Sequence, residues 1–557
     1  MVNKQNIPAI VGGTGIIILI LGIFLGWYGF PKMANMKIKE GISLEKGTES
    51  YDMWEVIPFP LKFKVYVFNV QNPEEVQNGG HPVVREIGPF VYDEYRKKEK
   101  VVINEETDTI QYILRKTFFF NEKESGCHSD EDYVTVLNAA LVGTALTVQG
   151  MFPSALATIS DAVPHLFPGI KNIFMTVKVK DLLFNGLLLD CSNPSIDFVC
   201  SAMKGTAPET VRLHENNRDF LFSMFHHLND TEEGPYVIGR GMKNTSRGEI
   251  LSYKGDTTLE GLWNSPECNM LNGTDSTMYS PMEDPKDRLY IYSSDLCRSA
   301  YVSFEKKTET FGIPVFRYTN TERNLDIIEE NDCFCPVGND ENFKPVIKCT
   351  PKGTMNLMPC MQSPTIYSNP HFYLGDRELN NFVTGLKPNK EKHQNFAEIE
   401  PLTGTPVRGM KRAQFSLFLR KLPEFELLTN VSHGLMPLIW LEEGATLPPF
   451  LVDKLKGAHS ALYSLLVVKW FLVSLGLVMI LIGVILHFRK DKIFCMNDSR
   501  VAHFNAPIPP GPEHKPTLSN SDNDFNSTLT YPSLYPQLVN RNMSIGIKKM
   551  GEDRFLI

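Results

Sequence analysis

Cys268-Asn-Met-Leu-Asn-Gly-Thr-Asp275 opens a stretch that runs through Ser294-Asp-Leu-Cys-Arg298 and Cys333-Phe-Cys335 to Cys360. It holds six of the chain's ten cysteines: Cys268, Cys297, Cys333, Cys335, Cys349 and Cys360. An even number of cysteines gathered in one part of a large chain indicates disulfides, which persist only in an oxidising compartment. A zinc site would want cysteines about two to four residues apart, with a second such pair or a His pair. The only close pair here, Cys333-Phe-Cys335, has one residue between. Spacing alone does not choose among the connectivities open to six cysteines. The Asn272-Gly-Thr sequon in the same stretch fits the same compartment.

Outward from this stretch, two apolar runs bracket everything. Ile7 to Phe30 carries no charge and, at about 1.5 Å per residue, reaches roughly 36 Å, enough to cross a bilayer. A cleaved signal peptide would have a shorter apolar core and a small-residue cleavage site. Here Trp27, Tyr28 and Phe30 close the run, as suits a membrane interface. The second run, Leu462 to Leu486, is followed directly by Arg489, Lys490 and Lys492, which places residues 487–557 in the cytoplasm. Lys469 either snorkels from that span or precedes it. Around the first run the local charge points the other way, with Lys4 before it and Lys32, Lys37 and Lys39 after it. Long domains translocate largely regardless of such charges. The expected topology is therefore a plasma-membrane protein with both termini cytoplasmic. It has a short N-terminal segment (1–6), spans at 7–30 and 462–486, and an extracellular domain over 31–461. The sequons at Asn229, Asn244, Asn272 and Asn430 fall in that domain; those at Asn497, Asn526 and Asn542 fall beyond it and are expected to stay bare.

The external segment is rich in strand signals. Met33 to Ser50 is charged and reads as helical. Leu61-Lys-Phe-Lys-Val65 alternates apolar and polar, the period of a half-buried strand, and Tyr66 to Val70 continues it. Val83 to Tyr95, Ile110 to Phe120, Ala300 to Glu305, Pro314 to Tyr318 and Gln414 to Leu419 read as further strands between Gly/Pro/Asn breaks. This is the signature of a large antiparallel sheet or barrel. Tyr133 to Leu189 is rich in Ala, Leu and Val and reads as short helices broken by Pro153, Pro164 and Pro168. Cys191 and Cys200 close that region and are candidates for a local disulfide, which leaves Cys127 without an obvious mate. The tail beyond Met496 is rich in Pro, Asn and Ser and reads as disordered. Within it Tyr531-Pro-Ser-Leu534 and Tyr535-Pro-Gln-Leu538 have the form of tyrosine-based sorting signals for endocytic adaptors. Cys495 is a candidate for palmitoylation.

The chain has 557 residues, 42 % hydrophobic and 22 % charged, with a net charge of −8. That mild acidity, without a long basic stripe, argues against a nucleic-acid partner. No nucleophile elbow, zinc-protease motif or phosphate-binding Gly-Lys-Ser/Thr loop is present, so no enzyme activity, catalytic residue, metal or cofactor is expected. Gly239-Arg-Gly241 lacks the third glycine of a dinucleotide loop. Gly13-Thr-Gly15 lies inside a span, where helix packing accounts for it. His226-His227 with Asp230 reads as structural rather than as a metal site.

Blocks spread over nearly the whole external segment resemble the class B scavenger receptor family, most of all its insect sensory neuron membrane proteins. They include Phe63-Lys-Val-Tyr-Val-Phe-Asn-Val-Gln-Asn-Pro-Glu-Glu75, Glu86-Ile-Gly-Pro-Phe-Val-Tyr-Asp-Glu94 and the Cys268, Ser294 and Cys333 blocks quoted above. Pro370-His-Phe372, Ile399-Glu-Pro-Leu-Thr-Gly404 and Met436-Pro-Leu-Ile-Trp-Leu-Glu-Glu443 continue the series. The resemblance implies the pairing Cys268–Cys333, Cys297–Cys360 and Cys335–Cys349. It implies an α+β membrane protein: two transmembrane helices, an irregular antiparallel β-barrel core, an apical helical bundle (about 133–189) and a hydrophobic tunnel toward the membrane. Lys171 falls near the position where some relatives use an apical lysine to meet anionic lipids.

The function expected from this is an olfactory receptor or co-receptor of sensory neurons or their support cells. It would take long-chain lipids, pheromones or other hydrophobic odorants and pass them to the membrane or to a neighbouring olfactory receptor complex. Two alternatives share the same anchors: a general lipid or lipoprotein scavenger or adhesion receptor, and a two-span ion-channel subunit.

Overall fold

The computed structural model describes residues 6–243, 246–339 and 345–493. Its centre is a 13-stranded antiparallel sheet. In spatial order its main path runs Ile250–Tyr253, Glu232–Gly239, Thr109–Phe120, Val84–Asn104, Leu61–Val70, Gly434–Thr446, Thr405–Leu419, Phe396–Glu400, Ile313–Thr319, Arg298–Thr310 and Arg288–Ser293. Two short strands, Thr354–Asn356 and Ile366–Ser368, hang from Thr405–Leu419. Leu61–Val70 shows why these residues make strands. Phe63, Val65 and Val67 are buried, while Lys62, Lys64 and Tyr66 on the other face are half-buried.

The two outermost strands nearly meet. Thr274 bridges Glu249 on one side and Ile291 on the other, and the amides of Ile250 and Tyr292 donate to the carbonyls of Gly273 and Thr274 at 2.8 and 3.0 Å. Two residues, Gly273 and Thr274, thus stitch the sheet into a nearly closed barrel, which removes most of the exposed edge.

The pairing of Leu61–Val70 with Gly434–Thr446, Lys62 opposite Gly444 and Val67 opposite Ile439, joins the beginning of the external segment to its end. Both chain ends therefore leave the sheet at one pole, where the two long apolar helices stand. The N-terminal helix does not stop at Phe30; a π-helical turn at Leu25–Gly29 carries it on to Gly41. The C-terminal helix, Pro449–Ile493, begins well before Leu462. The two run antiparallel in close contact, glycine against helix. A Cβ at Gly476 would lie 2.7 Å from the Leu19 nitrogen, and one at Gly483 would lie 2.7 Å from the Gly12 Cα. Lys469 lies within the C-terminal helix with its Nζ 3.6 Å over the Trp27 ring, a cation–π contact at the interface. Gly476→Leu is expected to force the helices apart at a cost of about 1–3 kcal/mol and lower surface abundance several-fold, read by surface labelling.

The region Tyr133 to Leu189 differs from an all-helical insert. Helices at Ala139–Met151 and Leu156–Leu166 are present, but Tyr133–Leu137 and Phe174–Lys178 pair as antiparallel strands that frame them. Leu187–Leu189 joins a second small sheet with Val211–Leu213 and Phe220–Phe222. Pro164 does not break a helix either; it sits inside Leu156–Leu166, in its last turn. The core beneath this region is aromatic: Phe63 meets Phe118 and Phe225 edge-on at ring distances of 5.1 and 5.3 Å.

Candidate ligand cavity

A cavity of about 790 Å³ occupies the membrane-side half of the external domain. Its inner wall includes Arg298, Ala300 and Val302, which share one strand face by the two-residue period, together with Met355, Tyr367 and Ala397. Its other end is formed by Met33, Ala34 and Ile38 of the N-terminal helix and by Leu455, Leu462 and Leu465 of the C-terminal one. The space therefore reaches from inside the sheet to the bases of the two long apolar helices. Several of its wall positions carry only a methyl side chain: Ala300, Ala397 and Ala445. Its mainly apolar lining favours alkyl groups over water.

Charged groups border the cavity too. Burial pushes Lys98 down to about 8 and Arg247 and Arg298 each down to about 10. The Tyr279 hydroxyl, buried too, is pushed above its ordinary value by the same desolvation.

Three blocks distant in sequence meet beside this space. Trp440 donates its indole N–H to Glu86 at 2.8 Å, and His371 Nε2 lies 2.6 Å from the same carboxylate. Since His371 Nδ1 accepts from the Lys387 amide at 3.0 Å, Nε2 is the nitrogen that donates. Burial pushes the Glu86 carboxyl up, but these two donors outweigh it and hold the group below the usual range. The cluster ties Val84–Asn104 to Gly434–Thr446 across the strand between them.

The remaining sequence candidates fall as follows. Disulfides join Cys268 to Cys333, Cys297 to Cys360, Cys335 to Cys349 and Cys191 to Cys200, and Cys127 is an exposed free thiol. Asn430 is exposed, whereas Asn229 and Asn272 are half-buried. The Asn229 side-chain oxygen accepts from the Phe118 amide at 3.0 Å. Lys171 is exposed on the loop between Leu166 and Phe174 and does not line the cavity. His226 contacts Arg212 at 3.1 Å, and among the described residues no group of His, Cys, Asp or Glu is arranged to hold a metal. Asn244, Cys495, Tyr531, Leu534, Tyr535 and Leu538 lie outside the described residues. A tunnel was implied by the family resemblance alone; no local pattern in the sequence marks the residues of its wall, which are far apart in the chain.

Two apolar helices at the ends of the chain, a nearly closed antiparallel sheet between them and an apolar cavity at their junction define a membrane-anchored receptor ectodomain. Residues 13–487 match the CD36 family, and the chain belongs to it. It is 37 % identical over 490 residues to sensory neuron membrane protein 2 of Heliothis virescens, covering 86 % of this chain and 93 % of that one. Sensory neuron membrane protein 2 of Manduca sexta is 38 % identical over 488 residues, covering 86 % and 93 %. Sensory neuron membrane protein 1 of Heliothis virescens is 36 % identical over 522 residues, covering 92 % and 96 %.

Proposed function

We propose that this chain is a plasma-membrane receptor of sensory neurons or their support cells, both termini cytoplasmic, that takes hydrophobic odorants or other long-chain lipids into its external domain. It releases them to the bilayer, or to a neighbouring olfactory receptor complex, between the bases of its two anchoring helices. The observation that carries this reading is the cavity, which extends from the interior of the sheet to Leu462 and Leu465. Removing each CH₂ from water is worth about 0.8 kcal/mol, so a chain of about fourteen methylenes costs on the order of 11 kcal/mol to carry exposed. An apolar passage relieves most of that. First capture would fall to the outer surface, with Lys171 a candidate contact for anionic lipids. The names of the relatives support the sensory setting.

The test is affinity against chain length, from about eight to eighteen carbons. Full burial would give about fourfold per methylene. Ordering of the chain opposes it, and about twofold is expected. A flat response rejects the reading. A two-span channel subunit would need a polar pore-lining face, yet Gly476 and Gly483 are pressed against the N-terminal helix.

A further inference from the structure

Lys469 is a cation within the second apolar helix, and no carboxylate among the described residues pairs with it. From Ile7 to Lys39 and from Lys454 to Arg489 the sequence contains no Asp or Glu. The nearest acids along the two helices, Glu40 and Asp453, stand about 20 Å from Trp27 and about 24 Å from Lys469 along the axes. What surrounds Lys469 is aromatic. Its Nζ lies 3.6 Å over the Trp27 ring and 5.5 Å from the centre of the Trp470 ring, and the two indoles meet edge to face at 5.9 Å. Rings solvate an ammonium but bring no opposite charge.

The backbone makes room for this arrangement. Gly26 and Trp27 both belong to the π-helical turn Leu25–Gly29, and both meet Lys469. A Cβ at Gly26 would lie 2.6 Å from the Lys469 Cγ, so it is the glycine that admits the lysine stem. Such turns inside longer helices recur at functional positions. Trp27 and Trp470 are each more than half exposed, and neither indole N–H has an acceptor among the described residues. Further along the N-terminal helix, Lys32 lies 5.5 Å over the Tyr28 ring, again with no acid paired to it.

Depth names the missing counter-ion. Lys469 stands about 30 Å along the helix from Arg489, the thickness of the hydrocarbon layer. With Arg489 at one boundary of that layer, Lys469 and the two indoles stand at the other. The anion that a bilayer presents at this depth is the lipid phosphate. An ammonium and two N–H donors suit the acceptor oxygens of a phosphodiester. Leu465, which lines the cavity, is one helical turn away.

We infer that Lys469, with the indole N–H groups of Trp27 and Trp470, is a binding site for the phosphate of a single glycerophospholipid, whose chains lie along the paired helices and whose head stands beneath the cavity. The site lies outside the cavity. Its geometry is the same whichever way the chain crosses the membrane; only placing the lipid in the outer leaflet rests on the orientation proposed above.

The full chain in detergent micelles is titrated with dioleoylphosphatidylglycerol, which has a phosphate and no ammonium of its own. A parallel titration uses dioleoylglycerol, which has the same chains and no phosphate. Lipid-bound species are counted by native mass spectrometry. The wild type is expected to hold the phospholipid about tenfold or more tightly than the diacylglycerol. Lys469→Met is expected to weaken the phospholipid about tenfold or more, the loss of a charge-assisted contact, and to leave the diacylglycerol unchanged. Lys469→Arg is expected to keep most of the preference. Lipid held in the cavity is common to all variants and cancels in their comparison. Equal affinities in the wild type overturn the site. A preference that survives in K469M does so too, and places the phosphate elsewhere on the chain. Inorganic phosphate in large excess is expected to leave the lipid bound; displacement overturns the lipid as the source of the anion. If K469M is not recovered folded, Trp27→Phe combined with Trp470→Phe, which keeps the rings and removes the N–H donors, decides. A preference as large as in the wild type then overturns the assignment, and a smaller one supports it. Micelles have no sides, so a reversed membrane orientation leaves every one of these results unchanged.

Discussion

Ala397→Trp is expected to lower affinity for a ligand of about sixteen carbons about 100-fold while the protein still reaches the cell surface. Ala397 lies in the strand Phe396–Glu400, opposite Tyr318 on one side and Gly409 on the other, and its side chain borders the cavity. An indole there takes the space of about four methylenes, each worth about 0.8 kcal/mol, and a loss near 3 kcal/mol is about two decades of affinity. The added ring enters a void rather than a packed core, so the usual penalty for overpacking is reduced. Ala300→Trp, in the strand Arg298–Thr310 two places along the same sheet, should act in the same direction. The result also separates the conduit from an adhesion or scavenging receptor whose ligands stay outside. For that receptor the sensitive positions would be exposed ones such as Phe198, 77 % accessible on its helix, and A397W would bind normally. Direct binding of a radiolabelled alkyl ligand to A397W and to Phe198→Ala decides between them.

How much of this was legible in the chain depends on the range over which the signal acts. The alternation in Leu61–Val70 and the apolar runs at both ends are local patterns with few competing explanations, and they led directly to the sheet and the helices. The strands Tyr133–Leu137 and Phe174–Lys178 were not legible. Each is short, and what makes them strands is a partner about forty residues away across two helices, visible only once the chain has folded. Pro164 was misread for the opposite reason. A proline signals a break, but within the last turn of Leu156–Leu166 the helix is about to end in any case. The cavity was the least legible feature. Ala300, Ala397 and Ala445 are ordinary residues in ordinary strands, and only their convergence places them on one wall.

Gly273→Ala is expected to abolish most of the folded protein, a larger effect than any single apolar truncation in the core would have. Gly273 sits at the seam that nearly closes the sheet, with φ at +84°, in the left-handed region that costs an alanine about 1 kcal/mol or more. The greater cost is steric. A Cβ at this position would lie 2.0 Å from the Tyr290 carbonyl oxygen and 2.2 Å from its carbon, both backbone atoms of an edge strand that cannot rotate away. Relief requires the strand Arg288–Ser293 to withdraw, which breaks the bond from Tyr292 to Thr274 and so opens the seam between the two edges. The expected penalty is above about 4 kcal/mol, in the range reserved for a broken backbone network. With a margin of about 5–15 kcal/mol, most of the chain would be retained and degraded. The substitution keeps the Asn272-Ala-Thr sequon, so lost surface protein cannot be put down to a lost glycan. Asn272→Gln supplies the converse control, removing the sequon while leaving the seam glycine in place. Surface biotinylation of G273A at wild-type levels, with an unchanged thermal midpoint, would show that the two edges are not joined in this way.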